Sequence, residues 1–180
     1  MRHRRAGALL LASVLLASCG HRVSAVGPLV EGEGSFGMCM RAGDHTSFVL
    51  GLDALQNRGT TPVTVDRVRL DNAVNLALTD ARLGPIHRPR PVGLMGMTQA
   101  DPASFDGQQR SVWNASTSAV GAVIRSSRYD DQNLLVVVRL TDTARSGRTG
   151  IVVDYHDDAR GYEWHDHGTY EVLVDTRCSH

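Results

Sequence analysis

Lysine is absent from all 180 residues of the chain. This absence excludes every mechanism that needs a catalytic lysine, a lysine Schiff base or a Walker-type phosphate loop. The 19 arginines are balanced by 19 acidic residues, so the chain also lacks the excess positive charge of a nucleic-acid-binding protein. We therefore expect no nucleic-acid partner.

Motifs of catalytic and metal-binding proteins are missing as well. The chain contains no Gly-x-Ser-x-Gly elbow, no pair of Cys-x-x-Cys motifs and no His-Glu-x-x-His motif. Only four residues are glutamate, and no local pattern marks two carboxylates as the acid–base pair of a glycosidase. We therefore predict that the protein is not an enzyme and has no cofactor, with a hydrolase as the remaining catalytic alternative.

The sequence also lacks an apolar run long enough to span a bilayer as a helix. Its N-terminal apolar run covers residues 6–17, or 12 residues, whereas about 20 are needed to cross about 30 Å of hydrocarbon. The run follows the basic residues Arg2, Arg4 and Arg5. A basic segment before a short apolar run is typical of a secretory signal peptide, and we predict one over residues 1–18.

The end of this segment, Leu16-Ala17-Ser18-Cys19, resembles the lipobox of bacterial lipoproteins. The resemblance implies cleavage before Cys19, acylation of its sulfur by diacylglycerol, and attachment to the extracytoplasmic face of the cell membrane. Stable attachment needs two or more acyl chains, because a single chain binds only marginally. The alternative is a buried apolar helix that happens to end in cysteine.

The same resemblance accounts for the odd number of cysteines. With Cys19 acylated, Cys39 and Cys178 remain, in a compartment that favours disulfides. We predict a Cys39–Cys178 disulfide, while free thiols or thiolate ligands remain the alternative. Residues 19–35, rich in glycine, are expected to be a lipidated flexible tether, and the folded domain is expected over residues 36–180.

Short alternating apolar patterns predict β-strands through this domain. Apolar residues alternate with other residues from Phe48 and again from Val63, and the turn residues 57–62 between the two runs predict a hairpin. A shift in phase at Asp66-Arg67 predicts a bulge. The continuous apolar run at residues 134–140 predicts a central strand buried on both faces. Residues 86–109, rich in proline, are expected to form a functional loop or a crossover.

No window longer than ten residues after the signal has a convincing helical period, so we predict an all-β, antiparallel immunoglobulin-like β-sandwich of about seven strands. The segments FVLGLDALQNRGTTPVTV, LLVVVRL, IVVDY and TYEVLVDTRC resemble those of immunoglobulin-like domains in secreted actinobacterial lipoproteins. This resemblance implies a non-catalytic binding or interaction module of the cell envelope. Its partner would be an envelope protein or a glycan.

An envelope metal-binding protein is the leading alternative. Thioethers and imidazoles suit copper, and imidazoles also suit zinc. The candidate ligands are two pairs at i, i+2 spacing, namely Met95 with Met97 and His165 with His167. The competing interpretation is that Met38 and Met40 fill the core and that residues 165–168 form a solvated turn. A core role is less obvious for Met95 and Met97, which lie among glycines.

Aromatic residues are scarce, at 5% of the chain, and four of them lie close together in sequence. These four are Tyr155, Tyr162, Trp164 and Tyr170. An exposed strip of this kind would suit stacking on sugar rings. Burial in the sandwich core is the interpretation that we favour, because the domain is otherwise short of aromatic bulk.

Overall fold

The computed structural model describes residues 27–31, 37–86, 95–126, 131–175 and 178. The predicted signal peptide, Cys19 and most of the predicted tether lie outside these residues. The described elements are, in chain order, β1 (Leu29–Glu31), β2 (Met38–Arg41), β3 (Ser47–Asn57), β4 (Val63–Val74), β5 (Leu76–Pro85), β6 (Thr98–Gln99), α1 (Gly107–Ala115), β7 (Thr117–Ser118), β8 (Val123–Ile124), β9 (Gln132–Leu140), β10 (Gly147–His156), β11 (Gly161–His165) and β12 (Tyr170–Leu173).

The strands form two sheets, which confirms the predicted all-β sandwich. The first sheet has the order β1-β3-β9-β5-β7, with β6 also on β3, and the second has the order β2-β12-β10-β4-β8, with β11 also on β10. The expected number of about seven strands is too low, because strands of two to four residues are too short to show an alternating pattern. The pairing is antiparallel except between β2 and β12, which are parallel.

The main core lies between the two sheets. Strand β9 contributes Leu134, Val136, Val138 and Leu140, and β10 contributes Ile151 and Val153, among the buried residues of this cluster. The four clustered aromatic residues all belong to it, with at most 7% of any of them exposed. The predicted role of these aromatics in the core is therefore confirmed, and they form no exposed strip.

A second apolar cluster covers the outer face of the first sheet. The alternate residues of β9, Leu135 and Val137, pack there with Val49, Met95 and Phe105. Strand β9 is therefore buried on both faces, as its continuous apolar run predicted. The described part of residues 86–109 supplies much of this cover, together with the helix that follows.

Helix α1 was not predicted, because its nine residues are too few to establish a helical period. A capping box begins it: the side chain of Asp106 accepts a hydrogen bond from the Gln109 backbone, and the side chain of Gln109 accepts one from the Asp106 backbone. Such an Asp-x-x-Gln pattern is a recognisable helix start, so this local signal was available in the sequence.

The predicted hairpin between β3 and β4 is wrong. Residues 57–62 carry the chain from one sheet to the other, so the two strands pair with different neighbours. The buried side chain of Asn57 stabilises this connection between the sheets, because its Nδ2 donates to the carbonyl oxygens of Thr61 and Ile124 at 2.8 and 3.0 Å. Local turn residues cannot distinguish a hairpin from a crossing between sheets.

The predicted bulge in β4 is confirmed. Val65 pairs with Tyr155 and Arg67 pairs with Asp154, so Asp66 is the extra residue between them. The shift in the apolar pattern of β4 therefore marks the place where the pairing register changes.

The predicted boundary between tether and domain also needs correction. Leu29–Glu31, within the segment expected to be a tether, pairs with β3 residues 55–57. Leu29 is buried, and its backbone N–H donates to the Tyr155 hydroxyl at 3.2 Å. The sandwich therefore begins before residue 36, because a three-residue strand shows too little alternation to be recognised.

The predicted disulfide is present between Cys39 and Cys178, whose Cα atoms are 5.8 Å apart. Cys39 lies in β2, and Cys178 follows β12 along the chain. Because β2 and β12 are paired, the bridge joins β2 to the segment after β12 at an edge of the second sheet.

Candidate functional site

The candidate site is a polar cleft at an irregularity between β4 and β10. Arg148 pairs with Val74 and Gly150 pairs with Asp71, so two β4 residues stand opposite Thr149 alone. One of these two, Asn72, has a φ of +49°, a left-handed conformation that asparagine tolerates better than most residues. Bulges of this kind redirect side chains and are common beside functional sites.

On the other edge of β10, the strand pairing is also interrupted next to Thr149. Strand β12 pairs with β10 up to Thr149, and β11 pairs with β10 only from Val152 onward. The turn between β11 and β12 fills this interval, and its Asp166 N–H donates to the Ile151 carbonyl at 2.9 Å. The two interruptions leave a cleft of about 210 Å³, which the β4 bulge, residues 148–150 and this turn line.

Asp166 is the most unusual side chain of the cleft. Its Oδ1 accepts a hydrogen bond from the Gly168 N–H at 2.8 Å, whereas its Oδ2 is buried and has no hydrogen-bond partner among the described residues. Burial raises the pKa of Asp166, although the Gly168 N–H and the neighbouring His167 act in the opposite direction. A buried carboxylate oxygen without a partner costs free energy and calls for a functional explanation.

Next to the cleft, the outer face of the second sheet has an ordered network of ion pairs. Asp154 of β10 accepts from Arg67 Nε at 2.9 Å and from Arg69 Nη2 at 3.3 Å. Arg69 also pairs with Glu163, which in turn contacts His165. Burial alone would raise the pKa of Asp154, but the hydrogen bonds from Arg69 and Arg67 outweigh it and lower that pKa.

We predict that Asp154→Asn lowers the free energy of unfolding by about 1–2 kcal/mol at pH 7, because hydrogen bonds to charged groups contribute that much. The folded-state pKa of Asp154 lies below its ordinary value of 3.8. Its contribution is therefore complete well above pH 4 and is lost as the pH falls through the folded-state pKa. Urea unfolding at pH 7 and at pH 3 measures this difference.

Asp44→Asn is the matched control for this experiment, because Asp44 is exposed and lies in the turn between β2 and β3. It should match the wild type at both pH values. A deficit of Asp154→Asn that is as large at pH 3 as at pH 7 would show that its carboxylate charge contributes nothing.

The four candidate metal ligands do not form one site. Met95 is buried in the cluster on the outer face of the first sheet. His165 is exposed and pairs in register with Val152, whose neighbours Ile151 and Val153 face the main core, so His165 lies on the outer face of the second sheet. Sheets in a sandwich are about 10 Å apart, so no single ion could bind both residues.

Met97 and His167, the other two candidate ligands, do not form a metal site either. Met97 packs against the main core, and His167 is exposed in the turn between β11 and β12. Among the described residues, no three His, Cys, Asp or Glu side chains are grouped closely enough to hold a metal ion. Met95 and Met97 therefore have packing roles, although their glycine-rich surroundings made a core role less obvious from the sequence.

The sequence analysis singled out the turn between β11 and β12, but not the residue of this turn that lines the cleft. Its His165 and His167 point to metal chemistry, whereas Asp166 between them lines the cleft. Asp71 and Asn72 were not singled out, although two polar residues between Leu70 and Val74 interrupt the pattern of β4. That interruption is the signal that could have located the bulge.

None of the helices among the described residues is long and apolar enough to cross a bilayer.

Neither protein-family models nor curated protein sequences match this chain. Among solved structures, it is similar to the ASH/PapD-like domain of human CEP192 (PapD-like domain 7). The two have 12% sequence identity and a TM-score of 0.33, over 87% of this chain and 97% of that one.

Proposed function

We propose that this protein is a lipid-anchored, extracytoplasmic binding module of the cell envelope, and that it binds its ligand in the cleft between β4, β10 and the β11–β12 turn. The observation that carries the proposal is the cleft itself, a space of about 210 Å³ that Asp166, Asp71 and Arg148 line. Concave sites with a few convergent polar groups are where small ligands bind in proteins.

A binding role suits the chemistry of the cleft better than a catalytic one. Thr149 has the buried hydroxyl of the cleft, and its Oγ1 lies 2.6 and 3.2 Å from the backbone carbonyl oxygens of Gly150 and Asp71. A nucleophilic hydroxyl would instead contact a general base. The hydroxyl of Thr149 therefore stabilises the backbone conformation at the bulge.

The extracytoplasmic location is supported by two separate features. The first is the lipobox-like sequence that ends at Cys19, and the second is the Cys39–Cys178 disulfide. Disulfides persist in secreted and membrane-exposed proteins and are rare in a reducing cytosol. With the signal peptide removed, 16 arginines and 19 acidic residues remain, a net charge of −3, so the acyl chains would supply the attachment to anionic lipid.

We predict that cells expressing the full-length protein incorporate labelled palmitate into it, and that Cys19→Ala abolishes this label. The physical reason is that Cys19 would provide the thiolate that is acylated. Label is measured on the immunoprecipitated protein, and the membrane fraction is compared with the soluble fraction.

The double variant Cys39→Ser/Cys178→Ser is the matched control, because it removes thiols that the proposal does not assign to the lipid. It should retain the label. If Cys19→Ala is still labelled and still sediments with membranes, the proposed anchor is wrong.

A further inference from the structure

The three charged side chains that line the cleft are not paired with one another. Asp71, Asp166 and Arg148 all line it, yet among the described residues Arg148 forms no ion pair with either carboxylate. On the same sheet, Asp66 and Asp154 are each paired with a basic side chain. The cleft therefore has charges of both signs on its walls, with no ion pair between them among the described residues.

We infer that the cleft binds a small zwitterion of amino-acid size, whose ammonium group contacts Asp166 and Asp71 and whose carboxylate contacts Arg148. This inference rests on the proposed function as a binding module and adds the class of ligand. Charges of both signs on the walls of one small cleft match a ligand that has both charges a short distance apart. Arginine suits the carboxylate end, because its planar guanidinium can donate two parallel hydrogen bonds.

The backbone supplies further acceptors for an ammonium group. A Cβ atom placed on Gly150 would lie 3.8 Å from the Gly168 carbonyl oxygen and 3.9 Å from the Asp71 carbonyl oxygen. Both oxygens therefore border the space that the missing side chain of Gly150 leaves open. An ammonium group has three hydrogens to donate and no acceptor, so it suits a pocket wall that presents carboxylate and carbonyl oxygens.

The size and lining of the cleft also favour this class. Drug-sized ligands occupy pockets of about 300–1,000 Å³, so about 210 Å³ corresponds to a smaller molecule. Among the described residues that line the cleft, none is aromatic. A sugar ring would therefore have no aromatic face on which to stack.

Asp166 is costly to the fold, which agrees with a role in binding. Its Oδ2 is buried without a partner, and burial raises the pKa of the carboxyl group. Asparagine in its place keeps an oxygen to accept from Gly168 and introduces no charge. We therefore expect Asp166→Asn to unfold at the same temperature as the wild type or higher, as is found where stability is sacrificed for function.

The test is isothermal titration calorimetry of the full-length protein in detergent, with L-alanine and D-alanine as zwitterionic probes. Ethylamine, propionate and methyl glucoside serve as probes that have only the positive charge, only the negative charge or no charge. We expect at least one alanine enantiomer to bind, and each single-charge probe to bind at least tenfold more weakly.

Three variants identify the site. Arg148→Gln and Asp166→Asn should each weaken alanine binding at least tenfold, because each removes one charge that the ligand contacts. Gly150→Ala should weaken it at least fivefold, because the added methyl group enters the cleft. No atom lies closer than 3.5 Å to that methyl group, so the fold should tolerate it. Arg139→Gln and Asp44→Asn repeat the same charge changes on exposed side chains elsewhere and should leave binding unchanged.

The inference is overturned if neither alanine binds to protein that melts cooperatively, or if methyl glucoside binds in its place. It is also overturned if alanine binds equally to wild type, Arg148→Gln and Gly150→Ala. Palmitate labelling is independent of these results. A labelled protein that binds no alanine would refute the ligand class and leave the anchor intact.

Discussion

The variant Cys39→Ser/Cys178→Ser is expected to unfold with a free energy lower than that of the wild type by up to about 5 kcal/mol. The bridge joins residues 139 positions apart in the sequence, and closing a loop of that length removes a large amount of conformational freedom from the unfolded chain. For a domain of this size, such a loss lowers the melting temperature by about 10–20 °C.

The reason for so large an effect lies in the topology. Strand β2 pairs only with β12 among the described strands, and that pairing is parallel and four residues long. With the bridge gone, β2 depends on its four residue pairs with β12 and on the partly buried side chains of Met38 and Met40. We therefore expect β2 to exchange its amide hydrogens first in the double variant.

Calorimetric melting of wild type, double variant and reduced wild type measures this effect. Cys19→Ala is the control, because Cys19 takes no part in the bridge. Its melting temperature should equal that of the wild type. Equal melting temperatures for the double variant and the wild type would mean that the bridge contributes nothing to stability.

The second large effect is expected from Gly51→Ala, which should lower the free energy of unfolding by about 3 kcal/mol. A Cβ atom on Gly51 would lie 1.9 Å from the Met95 carbonyl oxygen and 3.2 Å from the Gly96 carbonyl oxygen. These neighbours are backbone atoms, so they cannot move aside as the end of a flexible side chain could. Either β3 or the segment from residue 95 must shift.

The shift would disturb the second apolar cluster. Met95 is 1% exposed, and its backbone N–H donates to the Asn133 side chain at 2.9 Å. Lifting Met95 would uncover Leu135 and Val137 of β9 and leave a second atom of the buried Asn133 without a partner, since its Nδ2 already has none among the described residues. Loss of apolar burial and of a buried hydrogen bond both reduce stability.

Gly107→Ala is the matched control for this variant. Nothing lies within 4 Å of a Cβ atom at Gly107, which is the first residue of α1, and alanine is a better helix former by up to about 1 kcal/mol. Urea unfolding should therefore rank Gly107→Ala at or above the wild type and Gly51→Ala well below it. If Gly51→Ala has the same free energy of unfolding as the wild type, the contact between β3 and the Met95 backbone is not tight.

Patterns that are local in sequence predicted much of the fold. The alternation in β3 and β4 and the continuous apolar run of β9 identified three of the long strands, since burial on one face or on both leaves a visible period. The same reasoning missed β1 and α1. The three residues of β1 and the nine of α1 are too few to establish a period, although the Asp106-x-x-Gln109 pattern indicates where the helix begins.

The site was less predictable than the fold. Its charged groups come from β4, from β10 and from the turn after β11, so Asp71, Arg148 and Asp166 are 77 and 18 residues apart in the chain. No spacing rule connects such positions. Only the mismatch in register between β4 and β10, together with the gap between β11 and β12, brings them around one cleft.

The sequence by itself determined the all-β class, the buried central strand, the bulge at Asp66 and the pairing of Cys39 with Cys178. The first three depend on residue type and near neighbours, and the cysteine pairing followed from the lipobox resemblance, which assigns Cys19 to the lipid. The tertiary structure alone decided which sheet each strand joins, that residues 57–62 cross between sheets, and that Met95 and His165 lie on opposite faces. Those outcomes depend on pairings between distant strands, and the free energy of such pairings is not encoded in any short segment.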